Sequence, residues 1–366
     1  MICDVVLGLQ FGDEGKGKVV HQLVKDENYD LCVRFNGGPN AGHSIYVNET
    51  KIVLHMIPCG ILNPNTKCYI SSNCVLDKTK FFKEIDELRE KYNIDVKNRI
   101  YMSNHVHIIT PENIQDDIST NKIGTTGSGI GPTYSKKALR INQRVEDYSN
   151  EFESYGVILV NPRKFWTLYN WNKVLCEGAQ GFELDINWCN HYPYCTSSTC
   201  TLAGAIDCGI PLKTIRNVYG VAKIYETYVG TMKFQDENDE NLIKIQEVGK
   251  EYGSTTGRKR QCNYLDITRL NEAISINSVN KLIMNKCDIV KELNVYKIYY
   301  ENMLFSFHSF EEMKEFIYEK TGLNKNDIIF SSSPYFIQEP DTPKLEKKLS
   351  YLHISYENLC DLGYIM

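Results

Sequence analysis

Short apolar runs rich in Val, Ile, Leu and Cys alternate along the chain with stretches of helical periodicity. Runs bounded by glycines or polar residues are typical of buried strands, and longer amphipathic stretches are typical of helices that cover a sheet. The pattern predicts strands at residues 5–9, 31–35, 52–57, 69–70, 174–176, 218–224 and 281–284, and helices at 16–26, 77–92, 267–275 and 310–320. A short helix is also predicted at 112–121, after Pro111.

Strands interleaved with helices predict an α/β fold with a large, mostly parallel central sheet flanked by helices. No linker, internal repeat or low-complexity tract divides the 366 residues, so we expect a single domain over 1–366 with subdomain excursions. The opening stretch MICDVVLGLQFG lacks the positive start and small-residue cleavage site of a signal peptide, and we interpret it as a buried first strand. No apolar run is long enough to predict a transmembrane helix.

Composition narrows the classes of partner. Apolar residues make up 42% and charged residues 24%, which is ordinary for a globular protein, and the net charge of −5 gives no electrostatic case for nucleic acid or a membrane surface. The thirteen cysteines are scattered, contain no CxxC pair and mostly lie in apolar surroundings. We therefore expect reduced, buried thiols and a cytoplasmic protein, with a metal or disulfide role as the alternative.

The first candidate motif, QFGDEGKGK at residues 10–18, follows a predicted strand and opens a predicted helix. Its glycines, Gly12, Gly15 and Gly17, allow backbone N–H groups to curl around phosphate oxygens, and Lys16 can add positive charge. The segment is P-loop-NTPase-like in role but does not match GxxxxGK[ST]. The negative charge of Asp13 beside phosphate oxygens must be compensated by a cation, most simply by Mg²⁺. The alternative is a glycine-rich turn with a solvated acid.

Five further segments carry polar groups on glycine-rich turns. Each could be a ligand loop or an ordinary turn when taken alone. The segments are NGGPNAGH at 36–43, GTTGSGIGP at 124–132, EGAQG at 177–181, GSTTGRKR at 253–260 and NKCD at 285–288. The last matches NKxD, in which the aspartate accepts hydrogen bonds from guanine, and the glutamine of the third can read a purine 6-oxo group.

Taken together and in this order, QFGDEGKGK, NGGPNAGHS, GTTGSGIGPTY, CEGAQG, YPYCTSS and GSTTGRKR resemble the adenylosuccinate synthetase family. The resemblance covers most of the chain from residue 2 to about 290. It implies GTP-dependent joining of L-aspartate to the 6-position of IMP, which yields adenylosuccinate, GDP and phosphate through a 6-phosphoryl intermediate.

The resemblance also implies residue roles. The implied catalytic residues are Asp13, His43, Gln180 and Lys16, with Asp13 as the base that takes the N1 proton and His43 as the donor to the departing β-phosphate. The Asp13 carboxylate and the Gly42 carbonyl match Mg²⁺ ligands. The implied substrate contacts are Asn40, Thr126, Arg140, Thr196, Thr255, Thr256 and Arg258, and the implied GTP contacts are Gly12, Gly15, Lys16, Gly17, Arg260, Lys286, Asp288 and Ser332. Arg140 matches an arginine donated across a homodimer interface.

The chain departs from the family pattern in three places. It is shorter between residues 145 and 174, Ser128 stands where the family usually has Arg, and residues 331–334 lack the usual glycine of a guanine-packing element. The donor therefore stays open between GTP and ATP.

The short chain is also similar to a phage branch that joins aspartate to dGMP, which makes dGMP the alternative acceptor and the host cytoplasm the location if the protein is viral. That branch tends to carry Ser in place of the acid, whereas Asp13 is intact here and would crowd a 2-amino group, so IMP is favoured. A guanine-nucleotide-binding regulator and an inactive homologue are more remote alternatives.

Overall fold

A nine-stranded parallel sheet forms the centre of the computed structural model, which describes residues 1–47, 50–120, 124–253, 257–335 and 337. The strands are β1 Ile2–Gly8, β2 Leu31–Arg34, β3 His43–Val47, β4 Thr50–Leu54, β5 Lys67–Ile70, β6 Val75–Leu76, β7 Ile100–Ser103, β8 His107–Ile108, β9 Val157–Val160, β10 Lys173–Glu177, β11 Ile215–Lys223, β12 Tyr225–Tyr228, β13 Gln261–Asp266, β14 Lys281–Asn285, β15 Lys297–Tyr300, β16 Met303–Ser306 and β17 Ile328–Phe330.

Helices cover the sheet and connect its parallel strands. They are α1 Lys16–Glu27, α2 Lys78–Glu90, α3 Pro111–Thr120, α4 Ile130–Leu139, α5 Ser149–Ser154, α6 Pro162–Leu168, α7 Leu202–Asp207, α8 Glu240–Val248, α9 Ile267–Ile276, α10 Cys287–Leu293 and α11 Phe310–Thr321. No helix of the described residues is long and apolar enough to cross a membrane.

The order of strands in the central sheet is β17-β14-β11-β1-β10-β2-β5-β7-β9. Side chains that alternate along β1 enter two different cores, since Val5 and Leu7 belong to one buried cluster and Val6 belongs to the other. The predicted α/β class with a mostly parallel sheet is confirmed. The hairpin β3–β4 and the four-stranded sheet β12-β13-β15-β16 are separate from the central sheet and correspond to the expected subdomain excursions.

Most predicted elements occur within a few residues of their predicted bounds, but the strand predicted at 52–57 is wrong in its extent. The observed β4 ends at Leu54 and pairs with β3 rather than joining the central sheet. The backbone N–H groups of His55, Met56 and Ile57 instead donate to the buried carboxylate of Glu84 on α2, at 2.9, 3.0 and 3.2 Å. A side chain from a distant helix thus takes the hydrogen bonds that a strand would use.

The cysteines of the described residues are mostly buried, as the sequence predicts. The twelve cysteines in the described residues are free thiols, of which ten are buried and two, Cys189 and Cys195, are half-buried. Burial raises the pKa of the Cys74, Cys262 and Cys287 thiols to about 12, which keeps them protonated.

Candidate active site at the carboxyl ends of the central strands

The predicted motifs meet because they follow neighbouring parallel strands. The chain passes from β1 outward through β2, β5, β7 and β9, returns to insert β10 between β1 and β2, and then adds β11 on the other side of β1. Such a reversal of strand order leaves a crevice at the carboxyl ends of the strands, where ligands bind in open α/β sheets. Residues 10–18, 36–43, 177–181 and 285–288 follow β1, β2, β10 and β14, so they surround this crevice.

The loop after β1 is wrapped around the carboxylate of Glu14. This buried side chain accepts hydrogen bonds from the backbone N–H groups of Gln10 and Gly12, at 3.2 and 2.9 Å, and from Lys16 Nζ at 2.6 Å. A Cβ on Gly8 would lie 2.6 Å from Glu14 Oε2, so glycine is needed where this carboxylate meets β1. An internal anion therefore holds the loop in shape, a role for Glu14 that the sequence pattern did not indicate.

Asp13 projects from this loop with a positive φ of 59° and a side chain that is 31% exposed. Its Oδ2 accepts a hydrogen bond from Arg260 Nε at 2.7 Å, although the two residues are 247 positions apart. Arg260 also donates to the buried carboxylate of Glu251. The structure thus brings the predicted base and a predicted GTP contact together.

Glu251 is the anion around which the nearby cations gather. Lys223 Nζ lies 3.0 Å from it and Lys286 Nζ lies 3.7 Å from it. Burial alone would raise the pKa of Glu251, but the charges of Lys223, Lys286 and Arg260 outweigh this and lower it to about 2. The carboxylate therefore stays ionised and fixes Lys286 beside the same crevice.

His43, at the start of β3, is held by Glu177 at the end of β10. Its Nδ1 makes a short hydrogen bond to Glu177 Oε1, which also accepts from Arg34 Nη1 at 3.2 Å. Burial opposes ionisation of Glu177, but His43 and Arg34 bring its pKa to about 2. Burial and Arg34 lower the pKa of His43. A Cβ on Gly17 would lie 2.8 Å from His43 Cβ, which places the histidine against the first turn of α1.

His43, Cys59 and Glu177 also form a cluster whose ligand-type atoms lie within 4.8 Å of one another. The Cys59 backbone N–H donates to Glu177 at 2.7 Å, and its Sγ lies 3.1 Å from the same carboxylate. Because the Arg34 guanidinium already supplies the cation beside Glu177, we interpret the cluster as a buried ion pair that orients His43, not as a metal centre.

Gln180 meets Asn40 across the crevice. Gln180 has a positive φ of 55°, and its Nε2 donates to Asn40 Oδ1 at 3.3 Å. Its Oε1 is buried and has no hydrogen-bond partner among the described residues. An unsatisfied buried acceptor costs about 1–3 kcal/mol, so a ligand donor at this position would be stabilising.

Arg258, Thr196 and the segment of Ser332 lie around the same region. Arg258 Nη1 donates to the Gly124 carbonyl at 2.9 Å and so joins two predicted ligand loops, and Thr196 N donates to the Leu184 carbonyl at 2.8 Å beside Gly12. Lys18 Nζ donates to Ser331 Oγ at 2.9 Å, which brings the segment of Ser332 to α1. Thr255 and Thr256 lie outside the described residues.

Three other predicted residues, Arg140, Asp288 and Gly42, do not take part in the contacts described above. Arg140 is exposed at the end of α4 with a φ of 64°, and Asp288 lies in the first turn of α10. Gly42 directly precedes β3, so its backbone is adjacent to His43.

Two buried acids, Glu183 and Glu226, lie close to the loop after β1, and the sequence pattern did not indicate them. Glu183 is buried with Oε1 unpartnered among the described residues, and Arg269 bonds to Glu226 nearby. Burial and the neighbouring Glu226 raise the pKa of Glu183 to about 8.

Phe11 of the loop after β1 packs against the rings of His191, Tyr228 and Phe234.

This raised pKa predicts a pH-dependent effect of Glu183→Gln. Because the folded state holds the proton from pH 4.5 to about 8 whereas the unfolded chain releases it, wild-type stability falls as pH rises through this window. The variant does not lose stability in this way, so its free energy of unfolding relative to wild type should rise by about 4 kcal/mol between pH 4.5 and pH 8. Urea unfolding across pH measures this, with the exposed Glu153→Gln as control. An advantage that does not change with pH would contradict the prediction.

Comparisons with known proteins agree with the geometry. A family model described as adenylosuccinate synthetase matches residues 5–159 and 165–336. The chain is 36% identical to an adenylosuccinate synthetase of Candida tropicalis, over 92% of this chain and 89% of the relative, and 36% identical to that of Flavobacterium johnsoniae, over 81% of each.

Two solved structures are similar in fold. A fully ligated adenylosuccinate synthetase from Plasmodium falciparum superposes with a TM-score of 0.78 at 29% identity, covering 91% of this chain and 97% of that chain. The succinoaminodeoxyadenylate synthetase of cyanophage S-2L, bound to dGMP and dATP, superposes with a TM-score of 0.74 at 21% identity, covering 96% and 99%.

Proposed function

The chain belongs to the adenylosuccinate synthetase family, and we propose that it joins L-aspartate to the 6-position of IMP at the expense of GTP. Members of the family are ligases of purine biosynthesis. The observation that carries the assignment to this site is the convergence of Asp13, Lys16, His43 and Gln180 at the carboxyl ends of β1, β2 and β10.

The proposed first step transfers the γ-phosphoryl group of GTP to the purine 6-oxygen. Asp13 takes the N1 proton, so the 6-oxygen becomes an anionic nucleophile that bonds to the γ-phosphorus while the bond to the β-phosphate oxygen breaks. Gln180 steadies the 6-oxygen by donating from Nε2, the end of the amide that also donates to Asn40. Lys16 and the loop N–H groups neutralise the transferring group, where positioning and electrostatics supply most of the catalysis.

His43 is the proposed donor to the departing β-phosphate. Its Nδ1 is bound to Glu177, so a proton gained by the ring is carried on Nε2. Burial lowers the pKa of His43, and the negative charge of a nucleotide opposes that shift. Glu177 thereby acts as a positioning residue. In the second step the aspartate amine bonds to C6 while the C6–O bond breaks, so the phosphate leaves with the bonding electrons and the nitrogen passes its extra proton to the leaving phosphate.

Mg²⁺ is the proposed cofactor, and the residues present fit it. Asp13 offers a partly exposed carboxylate at the phosphate loop, and Gly42 offers a carbonyl; both are hard oxygen donors of the kind that Mg²⁺ prefers. When bound, the ion would supply charge neutralisation on the nucleotide phosphates.

We also propose a homodimer. Arg140 is flanked by Leu139 and Ile141, whose side chains are 63% and 69% exposed. Two large apolar side chains beside a predicted trans-acting arginine favour burial against a second copy. A cytoplasmic location, in a host if the protein is viral, is supported by the unbridged cysteines of the described residues.

The assignment is tested with purified protein, L-aspartate and Mg²⁺, with IMP and dGMP as acceptors and GTP and ATP as donors. We expect aspartate-dependent formation of adenylosuccinate from IMP and GTP, measured by chromatography together with released phosphate. Aspartate-dependent turnover of dGMP without turnover of IMP would refute the acceptor assignment and favour the alternative. Turnover with ATP in place of GTP would reassign the donor.

A further inference from the structure

A cleft of about 220 Å³ opens beside the predicted substrate residues, on the α2 side of the crevice. It is lined by Asn40, Thr126 and Ser128 from two of the ligand loops. The opposite wall carries Lys80 and Lys83, which belong to no motif found in the sequence. The cleft thus combines neutral hydrogen-bonding groups with two ammonium groups.

The lysines line the cleft because of their spacing on α2. Lys80, Lys83, Glu84 and Glu87 are at positions i, i+3, i+4 and i+7, so they share one helical face. The nearest acids to the two ammonium groups are Asp77, at 3.5 Å from Lys80, and Glu87, at 3.8 Å from Lys83. Both separations are long for ion pairs, and both lysine side chains are more than half exposed, so these pairs hold the lysines weakly.

Glu84 also lines the cleft, but its carboxylate is engaged by the backbone. The side chain is buried and already accepts hydrogen bonds from three backbone N–H groups. Its oxygens are therefore held by residues 55–57 and do not pair with Lys80 or Lys83.

A chain of hydrogen bonds fixes α2 relative to the ligand loop. Glu84 binds the backbone of residues 55–57, and His55 Nδ1 in turn donates to the Ala41 carbonyl at 2.7 Å. Ala41 follows Asn40 directly, so the lysine-bearing face of α2 is held at a fixed position relative to Asn40.

We propose that Lys80 and Lys83 form a second cationic wall of the substrate site and bind an anionic oxygen group of a substrate. The inference rests on the proposed function, which supplies two such groups, the 5′-phosphate of the nucleoside monophosphate and the carboxylates of aspartate. The contacts are electrostatic and lie on a partly exposed face, so they act on substrate affinity and leave the chemical step to the residues around Asp13.

Steady-state kinetics of Lys80→Ala/Lys83→Ala provide the first test. We expect the KM for one anionic substrate to rise about tenfold with little change in kcat, and the salt dependence of that KM to weaken. A rise for IMP identifies the phosphate, and a rise for aspartate identifies the carboxylate. Lys78→Ala is the matched control, since Lys78 lies on the same helix but pairs with Glu151 at 2.8 Å. Unchanged KM values for both substrates would overturn the proposal.

Two further measurements separate binding from folding and from the proposed function. Adding Ser128→Arg to the double variant returns a cation to the same cleft, and we expect it to recover part of the lost affinity; a merely structural role for the lysines predicts no recovery. In wild-type protein, IMP or aspartate should protect Lys80 and Lys83 from acetylation relative to Lys78, read by mass spectrometry, while inosine should not. This readout needs no turnover. Absence of protection by either anion would reject the proposal, whereas absence of turnover alone would reject the function.

Discussion

Asp13→Asn is expected to lower kcat by about 10³-fold while leaving the protein folded, because a positioned general base contributes about 10²–10⁴ in rate. Asparagine keeps the side-chain shape and an oxygen that can accept the hydrogen bond from Arg260. It cannot take the N1 proton, and it is a poorer ligand for a divalent cation. The loss should therefore appear in kcat and not in the thermal midpoint of unfolding.

The matched control for this variant is Asp236→Asn, since Asp236 is exposed and its carboxylate accepts from Asn238 N at 3.0 Å within its own turn. Single-turnover measurement of GDP formation, which accompanies the first step, and of phosphate release, which accompanies the second, separates loss of one step from loss of the other. Near-normal kcat in Asp13→Asn would refute the assignment of the base, even if the family function held.

Glu177→Gln is expected to have the largest effect on stability, about 3–5 kcal/mol in the free energy of unfolding, because removing one partner of a buried ion pair leaves the other charge uncompensated. Arg34 is 1% exposed and its guanidinium lies 3.2 Å from this carboxylate. The glutamine keeps the volume and one acceptor for the Cys59 N–H group, so the effect reports charge rather than a cavity. Activity should fall as well, since His43 loses its orienting partner.

The pH dependence of this effect has a definite sign. The folded-state pKa of Glu177, about 2, lies below its ordinary value of 4.5, so its stabilisation is fully present above pH 4.5 and is lost as pH falls toward 2. The difference between wild type and Glu177→Gln in urea unfolding should shrink over that range. The exposed Glu153→Gln is the control. A difference below about 0.5 kcal/mol at pH 7 would contradict the role of Glu177 as the buried counter-ion.

Local patterns were sufficient to predict the parts of the site that depend on nearby residues. The glycine-rich loop after β1 and the polar residues after β10 and β14 stand at strand ends, and strand ends can be located from apolar runs that stop at polar or glycine residues. The fold class followed from the same alternation. The roles of Asp13, Gln180 and Arg258 come from the family resemblance and stay predictions.

The missed features all depend on partners that are distant in the sequence. Glu177 meets Arg34 across 143 positions, and Arg260 meets Asp13 across 247, so no local window contains either pair. The signal that was present is a charged residue at the end of a buried apolar strand, as in VLCE and LCVR, because such a charge requires a partner. The error at residues 52–57 has the same origin, since Glu84 on α2 takes the backbone N–H groups there.

The position of β1 in the sheet has a consequence for how the chain is made. Ile2 pairs with Lys173 of β10, and Cys3 pairs with Ile215 of β11. Both edges of β1 therefore stay unpaired until these later strands have been translated. At about 5–20 residues per second, the first partner follows roughly ten to thirty seconds after β1 leaves the ribosome. An apolar strand with two open edges is prone to aggregate during that interval. We expect nascent chains cut off before β10 to depend on holding chaperones, and the loop at residues 10–18 to form only after the central strands have joined.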